Sequence, residues 1–247
     1  MPTRTSLSKT LIVLLAATSA LGPAAMQILL PALPVIKETF EVSTEVAQLT
    51  LSLSMLAIAL GTLFFGPLSD KYGRKPVMLL GLSITLAGSI FCFLANTIEL
   101  LIAGRFIQAF GAAVGLVLAR AIVRDVYGAQ EAARVIATLV MVMVVAPMLS
   151  PALGGELMLR FGWEYVFVVI AIACILISLL LIKNLPETLK EPVPFTGVAA
   201  MVGNYALLFR SHAFCGYAFC VTFVSVLFFS FISAAPEIMV SVLKRPP

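Results

Sequence analysis

The chain has 247 residues, of which 61% are apolar and 11% charged, where soluble domains run at about 45–50% and 25%. A mean hydropathy of +1.10 leaves more apolar surface than a water-soluble fold of this length can cover, which excludes a soluble domain and makes lipid the solvent. The net charge of +4 comes with no basic stripe interleaved with aromatic residues, so nucleic acid is excluded; one histidine, His212, and no C-x-x-C or H-E-x-x-H pattern exclude a multi-histidine metal site.

Continuous apolar runs predict spans at Leu11–Val35, Val46–Leu68, Val77–Ala95, Leu100–Ile122, Val135–Leu159, Trp163–Ile182 and Ala213–Ala235. Each is near the roughly 20 residues that cross a hydrocarbon core. Arg4 and Lys9 before the first run also describe a signal peptide, but the run continues past Pro23 and Gln27 to Pro34, which predicts an uncleaved helix. An N-terminus in the cytoplasm puts Arg4, Lys9, Lys71, Arg74, Lys75, Arg120, Arg124, Arg134, Lys183, Lys190 and Arg210 inside. Only Lys37, Arg160, Lys244 and Arg245 then lie outside, so the charge asymmetry favours this orientation. Cys92, Cys174, Cys215 and Cys220 sit in apolar runs and read as packing residues.

Residues 183–212 form the one long connection, with Pro186, Pro192 and Pro194 before an amphipathic stretch at Tyr205–Arg210. The expected organisation is a six-helix half over 1–182, a cytoplasmic linker over 183–212, and over 213–247 the first helix of an incomplete second half.

Between the second and third spans, Gly66-Pro67-Leu68-Ser69-Asp70-Lys71-Tyr72-Gly73-Arg74-Lys75-Pro76 predicts a tight loop. Gly66 would allow close helix approach and Gly73 a reversal, while Asp70 could pair with bases or a helix N-terminus. A stop-transfer loop obeying the charge rule is the simpler alternative. The segment resembles the signature loop of the major facilitator superfamily, G-x-L-x-D-x-x-G-R-K. The resemblance implies that Gly66, Asp70, Gly73, Arg74 and Lys75 form a conformational latch.

The fourth span carries Arg105-Phe106-Ile107-Gln108-Ala109-Phe110-Gly111, a guanidinium about 8 Å into the predicted helix. Such a charge either faces the bundle interior at a functional site or snorkels to the outer interface. The stretch is similar to the superfamily's R-x-x-Q-G-x-G motif, with Ala109 in place of the first glycine. At the other end of this span, Arg120, Arg124 and Asp125 stand at the depth of Asp70 and are expected to join its ionic cluster.

In the fifth span, Pro147 and Pro151 each remove a helical donor, so a bend is expected, with Gly154 and Gly155 permitting close approach. The alternative is a plain packing kink. The segment resembles the superfamily's antiporter motif, G-P-x-x-G-G, with Ser150 for the first glycine. Its two proline steps, with Leu30-Pro31-Ala32-Leu33-Pro34 and Ile232-Ser233-Ala234-Ala235-Pro236, look most like the bicyclomycin-resistance group of drug/proton antiporters.

That resemblance implies an all-α membrane fold, two halves rocking about a central site, and efflux of drug-like or small amphipathic molecules by alternating access. Pathway candidates are Gln27, Arg105 and Gln108. Gln27 stands where this group usually has an aspartate, and an amide does not exchange protons near neutral pH, which puts coupling to a proton or other ion in question. Glu156 is the other acid in an apolar span and reads as interfacial. No cofactor is expected. The expected partners are the lipid bilayer, a small-molecule substrate and a second transporter half, missing here or supplied in trans. The alternative is a non-transporting remnant or accessory subunit. Without paired intramembrane acids or a serine–base constellation, no enzyme is expected.

Overall fold

The computed structural model describes residues 8–127, 129–189 and 209–237. Arg4, Lys190, Lys244, Arg245 and most of the amphipathic stretch at Tyr205–Arg210 lie outside the described residues. The chain is all-α, and among the described residues six helices are long and apolar enough to cross a membrane. A chain crossing hydrocarbon must bond its own backbone groups, and the helix does so within one segment.

Helix α1 spans Lys9–Gln27, α2 Leu33–Thr39, α3 Thr44–Tyr72, α4 Arg74–Phe93, α5 Ile98–Val126, α6 Ala129–Phe161 and α7 Tyr165–Asn184. Three start on a hydroxyl cap: Ser8 accepts from Leu11 N, Ser43 from Val46 N and Thr97 from Leu100 N, satisfying a donor that the helix start leaves open. A separate unit holds α8, His212–Glu237.

The first span differs from the single helix expected over Leu11–Val35. After α1 ends at Gln27 the chain turns, makes a short 3₁₀ segment at Leu30–Ala32, and resumes as α2. Pro31 has no N–H for the carbonyl of Gln27, four residues earlier, and its ring crowds that carbonyl. Ala25, two residues before the end of α1 at Gln27, is among the last carbonyls, which lack donors within the helix.

The expected loop at Gly66–Pro76 shrinks to one residue. Helix α3 runs to Tyr72 and α4 begins at Arg74. Gly73 alone reverses the chain, at φ +99°, a region that side-chain-bearing residues rarely adopt. Gly66 needs no close approach, since a methyl there would meet only Val117 at 3.8 Å.

Helix α5 lies at the centre, packed on α3, α4 and α1, with α6 behind α1 and α7 behind α4. Exchanging α1, α3 and α4 for α5, α6 and α7 turns the α1–α6 contact into the α3–α5 contact and returns α1–α5 and α4–α7 to themselves. This pairing is that of two three-helix repeats. Close packing of α4 on α5 depends on Gly88, where an added Cβ would stand 2.6 Å from the Cα of Gln108. Small residues permit such backbone approach where no hydrophobic effect drives helices together.

The far end of the bundle is aromatic: Phe40 meets Trp163 edge-on at 5.8 Å, and Phe93 meets Tyr165 at 6.0 Å. Helix α6 runs through both Pro147 and Pro151 as one continuous helical segment.

Gly88→Leu should push α4 off α5 and cost about 1–3 kcal/mol. The check is thermal unfolding in detergent, with a fall in Tm expected; an unchanged Tm would show that α4 and α5 do not touch there.

Candidate functional site

Two polar clusters interrupt the apolar bundle. The first is centred on Arg105, seven residues inside α5 and so about 10 Å along it, deeper than the sequence implied because Thr97 starts the helix early. Arg105 is 1% exposed, which decides for the bundle interior over snorkelling. Its Nη1 donates to Gln108 Oε1 at 2.6 Å and to the carbonyl of Ala25 at 3.1 Å. Gln108 Nε2 donates to Ser89 Oγ at 2.8 Å, and Ser89 Oγ donates to the carbonyl of Thr85 at 2.8 Å. One chain of hydrogen bonds therefore ties α1, α5 and α4 together. The carbonyl that α1 cannot satisfy itself is the one that takes the guanidinium.

Gln27 is half-buried at the end of α1, two residues and about 200° of helix rotation from Ala25. It takes no part in this chain of bonds. The structure thus joins Arg105 to Gln108 and leaves Gln27 outside that network. Ser89 and the Ala25 carbonyl were missed in the sequence. A Thr85, Ser89 pair four apart, and so on one face of α4, was the available signal for the first.

The second cluster is at the end of the bundle where α3 meets α4. Arg74 is 8% exposed. Its Nη1 lies 2.6 Å from Asp70 and 2.6 Å from Ser69 Oγ, and its Nε lies 2.8 Å from Asp125. Asp125 also accepts from Thr188 Oγ1 at 3.4 Å. The expected cluster of Asp70, Arg74 and Asp125 is formed, with Arg74 as its hub. Arg124 lies apart and donates to the carbonyl of Arg120 at 3.4 Å. Lys75 Nζ donates to the carbonyl of Ile182 at 2.8 Å.

The sequence did not reveal Glu187, just beyond α7. Gly73 gives α4 no side-chain cap, and Glu187 supplies it across 113 residues: its Oε1 accepts from Arg74 N at 2.9 Å and its Oε2 from Lys75 N at 3.1 Å. A carboxylate at a helix start also meets the positive end of the dipole. Burial pushes the Glu187 carboxyl up, but hydrogen bonds from the N–H groups of Leu189, Arg74, Lys75 and Thr188 outweigh it, so it sits below its ordinary 4.5.

In α6, Gly154 faces the carbonyl of Ile28, so this glycine seats α6 against the broken part of α1. Gly155 has nothing within 4 Å among the described residues. Ser150, between the prolines, donates to the carbonyl of Ala146 at 2.7 Å. Glu156 pairs with Arg160 on an exposed surface.

The profile of the Major Facilitator Superfamily matches residues 15–243. The chain belongs to this family. It is 35% identical over 227 residues to the uncharacterized MFS-type transporter YdgK of Bacillus subtilis, covering 90% of this chain and 56% of that protein. It is 30% identical over 230 residues to the bicyclomycin resistance protein homolog of Haemophilus influenzae, covering 92% and 58%, which bears out the resemblance to that group. The chain thus spans little more than half the length of the curated relatives it matches. The human organic anion transporter MFSD10 (TETRAN) superposes with a TM-score of 0.65 at 22% identity over 81% of this chain and 53% of that one. At that identity the likeness is one of fold.

Glu187→Gln should destabilise the chain by about 1 kcal/mol, a capping value at an exposed carboxylate. Because the folded-state pKa is depressed, the wild-type advantage is fully present above the unfolded value near 4.5 and is lost as pH falls through the folded one. Unfolding measured from pH 7 to pH 3 should show the two proteins converge at the acid end; a constant gap would remove the ionised cap. At neutral pH, Asp125→Asn should cost about 1–2 kcal/mol and Asp70→Asn less than about 1, since their side chains are 23% and 44% exposed. The reverse order of Tm values would contradict Arg74 being anchored through Asp125.

Proposed function

We propose that this chain supplies one half of a secondary active exporter of small amphipathic or drug-like molecules in the bacterial inner membrane. It works by alternating access against a second six-helix half in the same or another polypeptide. The observation that carries this reading is the fully buried Arg105–Gln108 pair, bonded to the carbonyl of Ala25 where α1 breaks. A charge at that depth is costly and marks a pathway by default, and a discontinuous helix beside it is a feature of transporter sites.

In this reading residues 1–182 are the half itself, 183–212 the cytoplasmic connection and 213–247 the opening of the second half, with the N-terminus in the cytoplasm. The pathway runs past Gln27, Arg105 and Gln108. Asp70, Arg74, Lys75 and Asp125 are the latch, with Gly66, Gly73 and Arg124 around it. The link through Glu187 and Thr188 lends the latch a hold on the end of α7, so parting α3 and α4 from α7 would break it. Pro147, Pro151, Gly154 and Gly155 shape the face of α6. Coupling to an ion, if by protons, requires a titratable group other than Gln27.

The test is dye efflux from vesicles containing both halves, with and without a pH gradient. Transport should occur, and Asp70→Asn should slow it about tenfold while membrane insertion stays normal. Gln27→Asp should make the rate more dependent on pH. No movement of any probe would overturn the exporter reading, and an unaltered pH profile in Gln27→Asp would remove Gln27 from the coupling path.

A further inference from the structure

Buried polar groups in this bundle are matched with one exception. Thr18, Thr50, Ser54, Thr85 and Ser89 each donate to a carbonyl one turn back in their own helix. Among the described residues, the buried side-chain nitrogens or oxygens with no partner are Nε and Nη2 of Arg105. These two nitrogens form one edge of the guanidinium, whose N–H bonds run parallel and match two oxygens of a carboxylate.

The unmatched edge is held in position. Nη1 is bonded to the Ala25 carbonyl and to Gln108, and Gln108 is fixed in turn by Ser89. The guanidinium plane is therefore set by three helices, with its free fork kept in one orientation. Preorganised donors of this kind favour a bound anion without the entropy of ordering the side chain.

Among the described residues no acid is shown bonded to Arg105. Glu99 is exposed and six residues back toward the start of α5; Glu156 pairs with Arg160 at the surface, and Asp70 and Asp125 are committed to Arg74. Helix α1 offers the amide of Gln27. A full positive charge, unavoidable because arginine stays protonated, thus stands in an apolar core without a counter-ion. That charge asks for one from outside.

We propose that the Nε–Nη2 edge of Arg105 is the seat of the carboxylate of an amphipathic organic anion, which is the class of substrate this protein carries. The proposal rests on the transporter reading above and narrows it. An inorganic anion would exchange a full hydration shell for two donors in an apolar setting. A carboxylate on an apolar body keeps the same two bonds and adds burial of that body. Arg105 is 1% exposed in this conformation, so entry requires a movement of the helices packed around it.

The experiment compares three probes on one skeleton: 4-phenylbutyrate, its uncharged amide, and 4-phenylbutylamine. Binding to the purified chain in lipid nanodiscs is read by calorimetry and by the shift in Tm. The acid should bind at least tenfold more tightly than the amide or the amine. Arg105→Gln should abolish that preference, and Arg105→Lys, which keeps the charge but loses the fork, should weaken it several-fold. The wild-type comparison stands even where a variant fails to fold. Equal binding of the three, or of none, overturns the seat, as does a preference that survives in Arg105→Gln. Chloride displacing the acid as well as acetate does would make the site one for inorganic anions and overturn the organic assignment. Vesicle transport separates this from the broader reading: movement of the amine or amide without preference for the acid removes the seat and leaves the transporter.

Discussion

An arginine in the middle of an apolar bundle keeps its charge, and its cost falls only as its N–H groups find acceptors. Much of the geometry around α5 answers that requirement for Arg105. Gln108 is one helical turn away on the same helix and takes one N–H. The other acceptor is the backbone carbonyl of Ala25 in the last turn of α1. Gly88 lets α4 come close enough for Ser89 to fix the Gln108 amide.

The polar cluster at the other end follows different physics. Arg74, Asp70 and Asp125 stand at the ends of helices, where water and headgroups lessen the penalty of charge. What organises them is the one-residue turn at Gly73, which places Arg74 and Lys75 in the first turn of α4 with open N–H groups. Glu187 closes those groups from the far end of α7. The bundle is thus joined at this end by bonds that can be exchanged with water at little cost, and at mid-height by bonds that cannot.

The helices were legible because runs of about 20 apolar residues have one stable form in lipid. Arg105 was legible because a charge inside such a run has no ordinary explanation. Its depth was underestimated, since Glu99 was counted with the loop although Thr97 caps the helix ahead of it. The segment around Asp70 was read as a loop from its polarity, but polarity there marks the end of the hydrocarbon, and the helix continues to Tyr72. The break in α1 carries no change of polarity and is visible only by asking which carbonyl Pro31 deprives. Glu187 was beyond reach of the sequence: it lies in a stretch read as linker, and its partners are 112 and 113 residues away.

The central claim is that Arg105 and Gln108 bond directly in the buried core of the bundle. A double-mutant cycle with Arg105→Leu, Gln108→Leu and the double variant measures that bond through unfolding free energy in detergent. The account predicts a coupling of about 1.5–3 kcal/mol, as expected for a charge-assisted hydrogen bond away from water. Additive effects, with coupling near zero, would mean that the guanidinium does not rest on Gln108, and the geometry described for α1, α4 and α5 would fall with it.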